Sequence, residues 1–121
     1  MFKEEILIVD DRKIIRDIFI SAFSEYKIIA AGCGQEALEI LKNSQDIKLV
    51  VLDVIMPGLS GTELLTEIRK IKPNIKIIIS TGQGVAAREV KTLRLDTDGF
   101  IEKPFDITKV KKLFDKLVNL N

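Results

Sequence analysis

Residues 49–53 have the sequence LVVLD, in which four consecutive apolar residues precede a single aspartate, Asp53. An apolar run this short, with β-branched residues at its centre, predicts a β-strand that is buried on both faces. Strands of this kind are typical of parallel sheets, because helices cover both faces of such sheets. The stretch therefore predicts an α/β fold with an aspartate at the carboxyl end of one of its strands.

Four more short apolar runs lie on either side of this stretch. They predict strands at residues 6–9, 28–31, 75–79 and 100–101. Amphipathic segments with apolar residues at helical spacing lie between and after the strands. They predict helices after Asp11, around residues 37–41, after a Ser60–Glu63 capping box, near residues 84–94, and after the helix cap Asp106. Strict alternation of strand and helix predicts parallel strands joined by right-handed crossovers, hence a doubly wound five-stranded sheet with five helices.

The length and composition are those of one globular domain. The chain has 121 residues, of which 46% are hydrophobic and 31% charged, and no linker, repeat or low-complexity segment divides it. We therefore expect a single domain over residues 1–121. The net charge of +1 gives no electrostatic case for nucleic acid or a charged membrane as a partner.

The histidine and cysteine contents limit the possible chemistry. The chain contains no histidine, which removes Ser-His and Cys-His nucleophiles and most zinc sites. Any phosphohistidine that reacts with this chain must therefore belong to another molecule. The lone cysteine, Cys33, cannot form an internal disulfide, and the acidic N-terminal residues do not resemble a secretory signal. Together with the lack of a long apolar run, these features predict a cytoplasmic protein.

Polar side chains follow four of the five predicted strands: Asp10 and Asp11, Asp53, Thr81, and Lys103. In an open parallel sheet, ligands bind beyond the carboxyl ends of the strands, at the point where the strand order reverses. These residues are thus expected to meet in one cleft. The three carboxylates would repel one another without a cation, and hard oxygen ligands suit Mg²⁺. Asp53 is then a candidate phosphoryl-accepting nucleophile, Thr81 a hydroxyl donor, and Lys103 a charge for a phosphoryl oxygen.

Each of these residues also has a simpler interpretation when taken alone. Asp11 is in the right place to cap a helix, and Asp53 and Thr81 are common turn residues. Lys103 is by default a solvated charge, and Pro104 a strand breaker. Their joint occurrence at matching strand ends favours a functional site.

Four segments of the chain together resemble the receiver domain of two-component response regulators, the CheY-like fold. They are residues 6–11 (ILIVDD), 53–58 (DVIMPG), 79–82 (ISTG) and 100–105 (FIEKPF). The resemblance extends from Ile6 to Leu117. It implies the flavodoxin-like strand order 2-1-3-4-5 and a cis peptide bond before Pro104.

The resemblance also implies a role for individual residues. Asp10, Asp11 and Asp53 would bind Mg²⁺, for which Mn²⁺ can substitute, together with the backbone carbonyl of Ile55. Asp53 would be the phosphoacceptor and Lys103 the phosphate-binding lysine. Thr81 would be the switch hydroxyl and Phe100 the switch aromatic. Ile55 and Gln83 would tune the lifetime of the phosphoryl group.

By this resemblance, the chain accepts a phosphoryl group from a histidine kinase or a histidine phosphotransfer protein. It promotes only its own phosphorylation and dephosphorylation, so it is not an enzyme in the usual sense. The surface expected to bind a downstream protein consists of the fourth helix, the fifth strand and the fifth helix. Candidate contacts there are Lys91, Arg94, Phe100, Lys109 and Lys112. No direct contact with nucleic acid or a membrane is expected.

The sequence departs from the family at residues 96–99, which are DTDG where many members have GADG. This segment lies near the expected output face, so the departure bears on partner choice. A stand-alone regulator and a receiver excised from a longer protein both fit the sequence.

Three other functions remain as alternatives. A flavin or nucleotide binder of similar topology would need a Gly/Ser/Thr loop after the first strand, where this chain has two acids that would repel a phosphate. A metal-dependent phosphohydrolase would use Asp-x-Asp, but residue 55 is isoleucine. A degenerate receiver that only binds proteins would lack part of the acid, hydroxyl and lysine set.

Overall fold

The computed structural model describes residues 4–54, 61–82 and 97–119. Within these ranges five strands alternate with helices. The strands are β1 (Glu5–Val9), β2 (Lys27–Ala31), β3 (Ile47–Asp53), β4 (Lys76–Thr81) and β5 (Gly99–Glu102). The helices are α1 (Lys13–Ala22), α2 (Gly34–Asn43), α3 (Gly61–Ile71) and α4 (Ile107–Val118). The helix predicted near residues 84–94 lies outside the described residues, so α4 is the fifth helix of the prediction.

All five strands are parallel and form one sheet in the order β2-β1-β3-β4-β5, as predicted. The order reverses between β1 and β3, which are neighbours in the sheet although β2 lies between them in the chain. Val9 and Leu52 are register partners across these two strands. Because Asp10 and Asp53 are the next residues, the sheet brings both aspartates to the same edge at the switch point.

A hydrophobic cluster covers each face of the sheet. This explains why the strands are apolar at nearly every position. In β1, Leu7 and Val9 belong to the cluster formed with α2 and α3, whereas Ile6 and Ile8 belong to the cluster formed with α1 and α4. Side chains of a strand alternate between the two faces, so neither set is exposed to solvent. The edge strand β2 is only partly buried.

Aromatic side chains pack α1 against α4. The Phe23 and Phe114 ring centroids are 4.9 Å apart, and Phe19 lies 5.0 Å from Phe105. Phe105 follows Pro104 directly, so its contact with α1 anchors the segment that carries Lys103. These aromatic contacts therefore help to position Lys103, near the C-terminus, through a helix near the N-terminus.

Helix α1 decides one alternative interpretation of the sequence and departs from the predicted pattern of burial. Its N-cap is Arg12, without a side-chain cap hydrogen bond, so the alternative that Asp11 serves as a helix cap is wrong. Ile14, Ile15, Ile18 and Phe19 recur at helical spacing in the sequence, which predicts one apolar face; Ile15 and Phe19 are buried, but Ile14 and Ile18 are 61% and 37% exposed. The apolar stripe of α1 is wider than the surface that the sheet and α4 cover.

Two other helix ends follow local chemistry. Asp106 caps α4, where its carboxylate accepts hydrogen bonds from the backbone N–H groups of Thr108 and Lys109, as predicted. At the start of α3, a Cβ on Gly61 would lie 3.1 Å from the Cβ of Val54. Glycine therefore lets α3 begin close to the residue that follows Asp53. Ser60, the first residue of the predicted capping box, lies outside the described residues.

The unusual segment before β5 has a structural role at Asp98. Its carboxylate accepts a hydrogen bond of 2.9 Å from the N–H of Ile77 and lies 3.5 Å from the Arg69 guanidinium. Asp98 thus connects the start of β5 to β4 and to α3.

None of the helices in the described part of the chain is both long and apolar enough to cross a membrane.

Candidate functional site

Three carboxylates converge at the carboxyl edge of the sheet. Asp10 follows β1 and Asp53 ends β3, and both are buried, at 2% and 4% exposure. Asp11 is exposed beside them. Carboxylate oxygens of the three residues lie within 4.8 Å of one another. The predicted acidic cluster therefore exists in the fold, at the switch point between β1 and β3.

Lys103 lies between two of these carboxylates. Its Nζ is 2.6 Å from Asp10 Oδ2 and 3.3 Å from Asp53 Oδ2, and its side chain is only 11% exposed. The Lys103 backbone N–H donates a 2.7 Å hydrogen bond to the carbonyl oxygen of Thr81, which extends the pairing of β5 with β4. The Lys103–Pro104 peptide bond is cis. Lys103 is therefore a mostly buried, paired charge and not a solvated one.

The groups around Asp10 hold it firmly. Its Oδ1 accepts a 2.9 Å hydrogen bond from the N–H of Arg12, and its N–H donates to the carbonyl oxygen of Ala31 at 3.1 Å. Its carbonyl oxygen accepts a 2.8 Å hydrogen bond from Arg16 Nη1. Asp11, by contrast, has no hydrogen bond or ion pair to its carboxylate within residues 4–54, 61–82 and 97–119. The acid pair thus combines one fixed carboxylate with one that is available to a ligand.

The charges of the cluster are unbalanced. Among the described residues, three carboxylates meet one ammonium group, that of Lys103, so repulsion among the acids is only partly offset. The oxygen-only donor set suits a hard divalent cation such as Mg²⁺, which takes one or two carboxylates and retains waters. The site is therefore consistent with a divalent metal centre. Asp10, Asp11 and Asp53 are the residues that would hold the ion.

The other predicted site residues are distributed around this cluster. Thr81 ends β4 and is 4% exposed, and Phe100 lies half-buried in β5. Lys109 and Lys112 are exposed on α4. Four predicted residues lie outside the described residues: Ile55, Gln83, Lys91 and Arg94.

Two residues beside the cluster were not predicted. Arg16 contacts the backbone of Asp10, and Ser80 pairs with Asp53 in the sheet register. Ser80 is 2% exposed, and its hydroxyl has no hydrogen-bond partner among the described residues. The sequence does offer a signal for Ser80, because this residue directly precedes the predicted site residue Thr81. Arg16 gave no such signal, because an arginine on a helix surface is ordinarily solvated.

Comparison with known proteins identifies relatives over the whole chain. Sporulation initiation phosphotransferase F of Bacillus subtilis is 34% identical over 122 residues, covering 99% of this chain and 98% of the relative. Chemotaxis protein CheY of Thermotoga maritima is 33% identical, covering 94% and 97%. Response regulator SaeR of Staphylococcus epidermidis is 35% identical, but this chain spans only 44% of its length.

Solved structures agree with the sequence relatives. A CheY-like receiver domain protein from Methanospirillum hungatei superimposes with a TM-score of 0.85 at 29% identity, covering 96% of this chain and 94% of that one. A receiver domain protein from Clostridium thermocellum gives a TM-score of 0.87 at 27% identity, covering 97% and 95%. The model of the response regulator receiver domain family matches residues 6–115. The chain therefore belongs to the response regulator receiver domain family of two-component signalling.

Proposed function

We propose that residues 1–121 form one receiver domain, which accepts a phosphoryl group on Asp53 in a Mg²⁺-dependent reaction. The observation that carries this proposal is the convergence of three carboxylates within 4.8 Å, with Lys103 Nζ only 3.3 Å from Asp53. Receiver domains interact with histidine kinases or phosphotransfer proteins and with downstream targets. The chain has no histidine, so the phosphohistidine is supplied by the partner.

In the proposed reaction, a carboxylate oxygen of Asp53 attacks the phosphorus of the donor. An O–P bond forms as the P–N bond to the donor imidazole breaks, and the electron pair of that bond stays on the ring nitrogen. The leaving group is neutral imidazole when its other nitrogen carries a proton. With acetyl phosphate, a P–O bond breaks instead and acetate leaves. When bound, Mg²⁺ offsets the negative charge of the phosphoryl oxygens and of the acids.

Lys103 is proposed to change its hydrogen-bond acceptor when Asp53 is phosphorylated. Its ammonium group has three N–H donors, and Asp10 and Asp53 accept from it in the unphosphorylated chain. A phosphoryl oxygen on Asp53 carries more negative charge than the carboxylate it replaces as acceptor. Lys103 would therefore pair with that oxygen and change its contact with Asp53. The receiver thus responds to phosphorylation through a residue that β5 positions.

Phosphorylation is proposed to change the output surface through Thr81 and Phe100. The Thr81 carbonyl accepts a hydrogen bond from the Lys103 N–H, so the end of β4 that carries the Thr81 hydroxyl is joined directly to the proposed phosphate-binding residue after β5. Phe100 borders a groove of about 290 Å³ between β5 and α4, to which Phe105, Lys109 and Leu113 also contribute. A hydroxyl that turns to the phosphoryl group and a ring that turns inward form a two-state element. Downstream partners would bind at this groove and at the helix predicted near residues 84–94.

The surface that meets the phosphodonor is proposed to include exposed isoleucines in the first turns of α1 and α4. Ile14 and Ile107 each follow a site residue by four positions, after Asp10 and Lys103 respectively, and are 61% and 45% exposed. Ile18 lies one turn beyond Ile14 on the same side of α1. Apolar side chains around a charged cleft allow a partner to dock and to exclude water from the transfer reaction.

The decisive experiment is phosphorylation by acetyl phosphate with and without Mg²⁺, followed by mass spectrometric mapping. We expect one phosphoryl group per chain, on Asp53, and only with the divalent ion. No uptake in Mg²⁺, with partner binding retained, would instead indicate a degenerate receiver. Repeated turnover of small phosphate esters would indicate a phosphohydrolase, and a bound yellow chromophore would indicate a flavin binder. We also propose a cytoplasmic location, consistent with the single cysteine.

A further inference from the structure

Arg16 connects α1 to the backbone of the acid pair. Its Nη1 donates a 2.8 Å hydrogen bond to the carbonyl oxygen of Asp10. That oxygen belongs to the peptide unit that joins Asp10 to Asp11. Because a peptide unit is planar, holding its oxygen also sets the direction of the Asp11 N–H and the position of the Asp11 Cα. The Asp11 carboxylate has no described partner, so its direction depends on this backbone.

Gly32 provides the space that the Arg16 guanidinium occupies. A Cβ on Gly32 would lie 3.3 Å from Arg16 Nη1, 3.6 Å from its Cζ and 3.9 Å from its Nη2. The Gly32 N–H also donates a 2.8 Å hydrogen bond to the Glu36 carboxylate in the first turn of α2. The guanidinium thus lies between the loop after β1 and the turn after β2. A side chain at position 32 would press on it.

We propose that Arg16 is a positioning residue for the divalent cation site. It holds the Asp10–Asp11 peptide so that the exposed Asp11 carboxylate is directed to the cation before the cation binds. A merely structural role in α1 would change stability and leave cation affinity unaltered. The inference rests on the proposed function, because it requires that the acidic cluster binds Mg²⁺.

The first test compares the Mg²⁺ affinity of wild type, Arg16→Met, Arg16→Lys and Lys13→Met. Affinity is measured without a phosphodonor, from the amide NMR shifts of residues 9–12 during Mg²⁺ titration. We expect Arg16→Met to weaken Mg²⁺ binding about tenfold, the scale of losing a group that orients a metal ligand. Arg16→Lys keeps the charge and should recover part of the affinity. Lys13, whose exposed ion pair with Asp17 lies on the same helix, is the control and should leave affinity within about twofold.

The second test uses the contact with Gly32. Gly32→Ala adds a methyl group against the guanidinium and should weaken Mg²⁺ binding several-fold in the wild-type background. In Arg16→Met the methyl group no longer meets a guanidinium, so Gly32→Ala should have little further effect. This non-additivity is the expected sign of one shared mechanism.

The outcomes separate the inference from the proposed function. A wild-type chain that binds no Mg²⁺ contradicts the proposed function itself. A wild-type chain that binds Mg²⁺, with unchanged affinity in both Arg16→Met and Gly32→Ala, overturns only the role of Arg16. Equal losses from Gly32→Ala in the two backgrounds would overturn it as well. If Arg16→Met does not fold, unchanged affinity in Arg16→Lys and Gly32→Ala together has the same meaning.

Discussion

Lys103 Nζ lies 2.6 Å from Asp10 Oδ2, although 93 positions separate the two residues in the chain. The Asp10 side chain is buried and that of Lys103 nearly so, and the same ammonium group also reaches Asp53. The pair thus joins the first and last strands of the α/β alternation across the carboxyl edge of the sheet. A buried charge pair is costly to leave half-broken, so Lys103 should remain bound to an anionic partner in every state of the site.

Asp53→Asn should abolish phosphorylation by acetyl phosphate and by a phosphohistidine donor, because the amide is a poor nucleophile. The fold should persist, since Lys103 keeps its contact with Asp10. Intact-mass analysis after incubation with the donor and Mg²⁺ measures the uptake. The matched control is Asp46→Asn, an exposed residue just before β3, which should be labelled like wild type. Full labelling of the Asp53 variant would show that another residue is the acceptor.

Asp11→Asn should stabilise the chain in the absence of divalent cations. The substitution removes one of three mutually repelling carboxylates, and the Asp11 carboxylate has no hydrogen bond among the described residues to lose. We expect a gain on the order of 1 kcal/mol, or a few degrees in the melting temperature. The same variant should lose most of the stabilisation that Mg²⁺ provides to wild type.

Thermal unfolding with EDTA and with millimolar Mg²⁺ checks both effects. Lower stability of the variant in EDTA would show that Asp11 makes a favourable contact, and an undiminished Mg²⁺ response would exclude it as a ligand.

Ile14→Ala and Ile18→Ala should slow phosphoryl transfer from a histidine phosphotransfer protein without slowing reaction with acetyl phosphate. The small donor needs no docking surface, whereas a protein donor must bury apolar area around the cleft. Ile20→Ala is a matched control, because Ile20 is 48% exposed on the same helix but lies on the other side from Ile18. Equal slowing by all three substitutions, or slowing with acetyl phosphate, would argue against a docking role.

Tyr26→Phe should destabilise the chain at neutral pH and reduce its loss of stability in alkali. Burial, and then the hydrogen bond to the Asp115 carboxylate, raise the pKa of Tyr26 above its ordinary value. Because the pKa is higher in the folded state, the stabilisation is complete below the unfolded pKa of about 10 and is lost as pH rises through the folded pKa.

Urea unfolding at neutral pH should show a loss of about 1–2 kcal/mol in the Phe variant. The advantage of wild type should shrink above pH about 10. Tyr26 is the only tyrosine, so tyrosinate absorbance follows its ionisation without interference. Ionisation near pH 10 in the folded chain would contradict the raised pKa.

Gln83→Ala should change the lifetime of the phosphoryl group on Asp53. By the family resemblance, the side chain at this position flanks the path of the attacking water, and an amide can orient water where the apolar Ile55 cannot. We expect slow-to-intermediate decay in wild type and slower decay in the variant. Loss of labelled phosphate from purified phosphoprotein measures the rate. An unchanged rate would show that Gln83 does not position water.

Local sequence determined the elements and the candidate acids. Short apolar runs specify strands buried on both faces, and each of the five predicted strands is present. Asp106 caps the last helix because its carboxylate meets backbone N–H groups only two and three residues away. Asp10, Asp53 and Lys103 were predicted from their places at strand ends. The strand order came from resemblance to a family and not from the local pattern.

Tertiary structure decided the interactions between segments that are distant in the chain. Local periodicity placed Ile14 and Ile18 on the apolar side of α1, but only the packing of α4 and the sheet left them exposed. It likewise gave no sign that Arg16 would meet the Asp10 carbonyl, or that one ammonium group would join Asp10 to Asp53. A sequence pattern indicates which residues tend to be buried and which segments tend to form helices. Which charges pair depends on where crossovers bring the strand ends together.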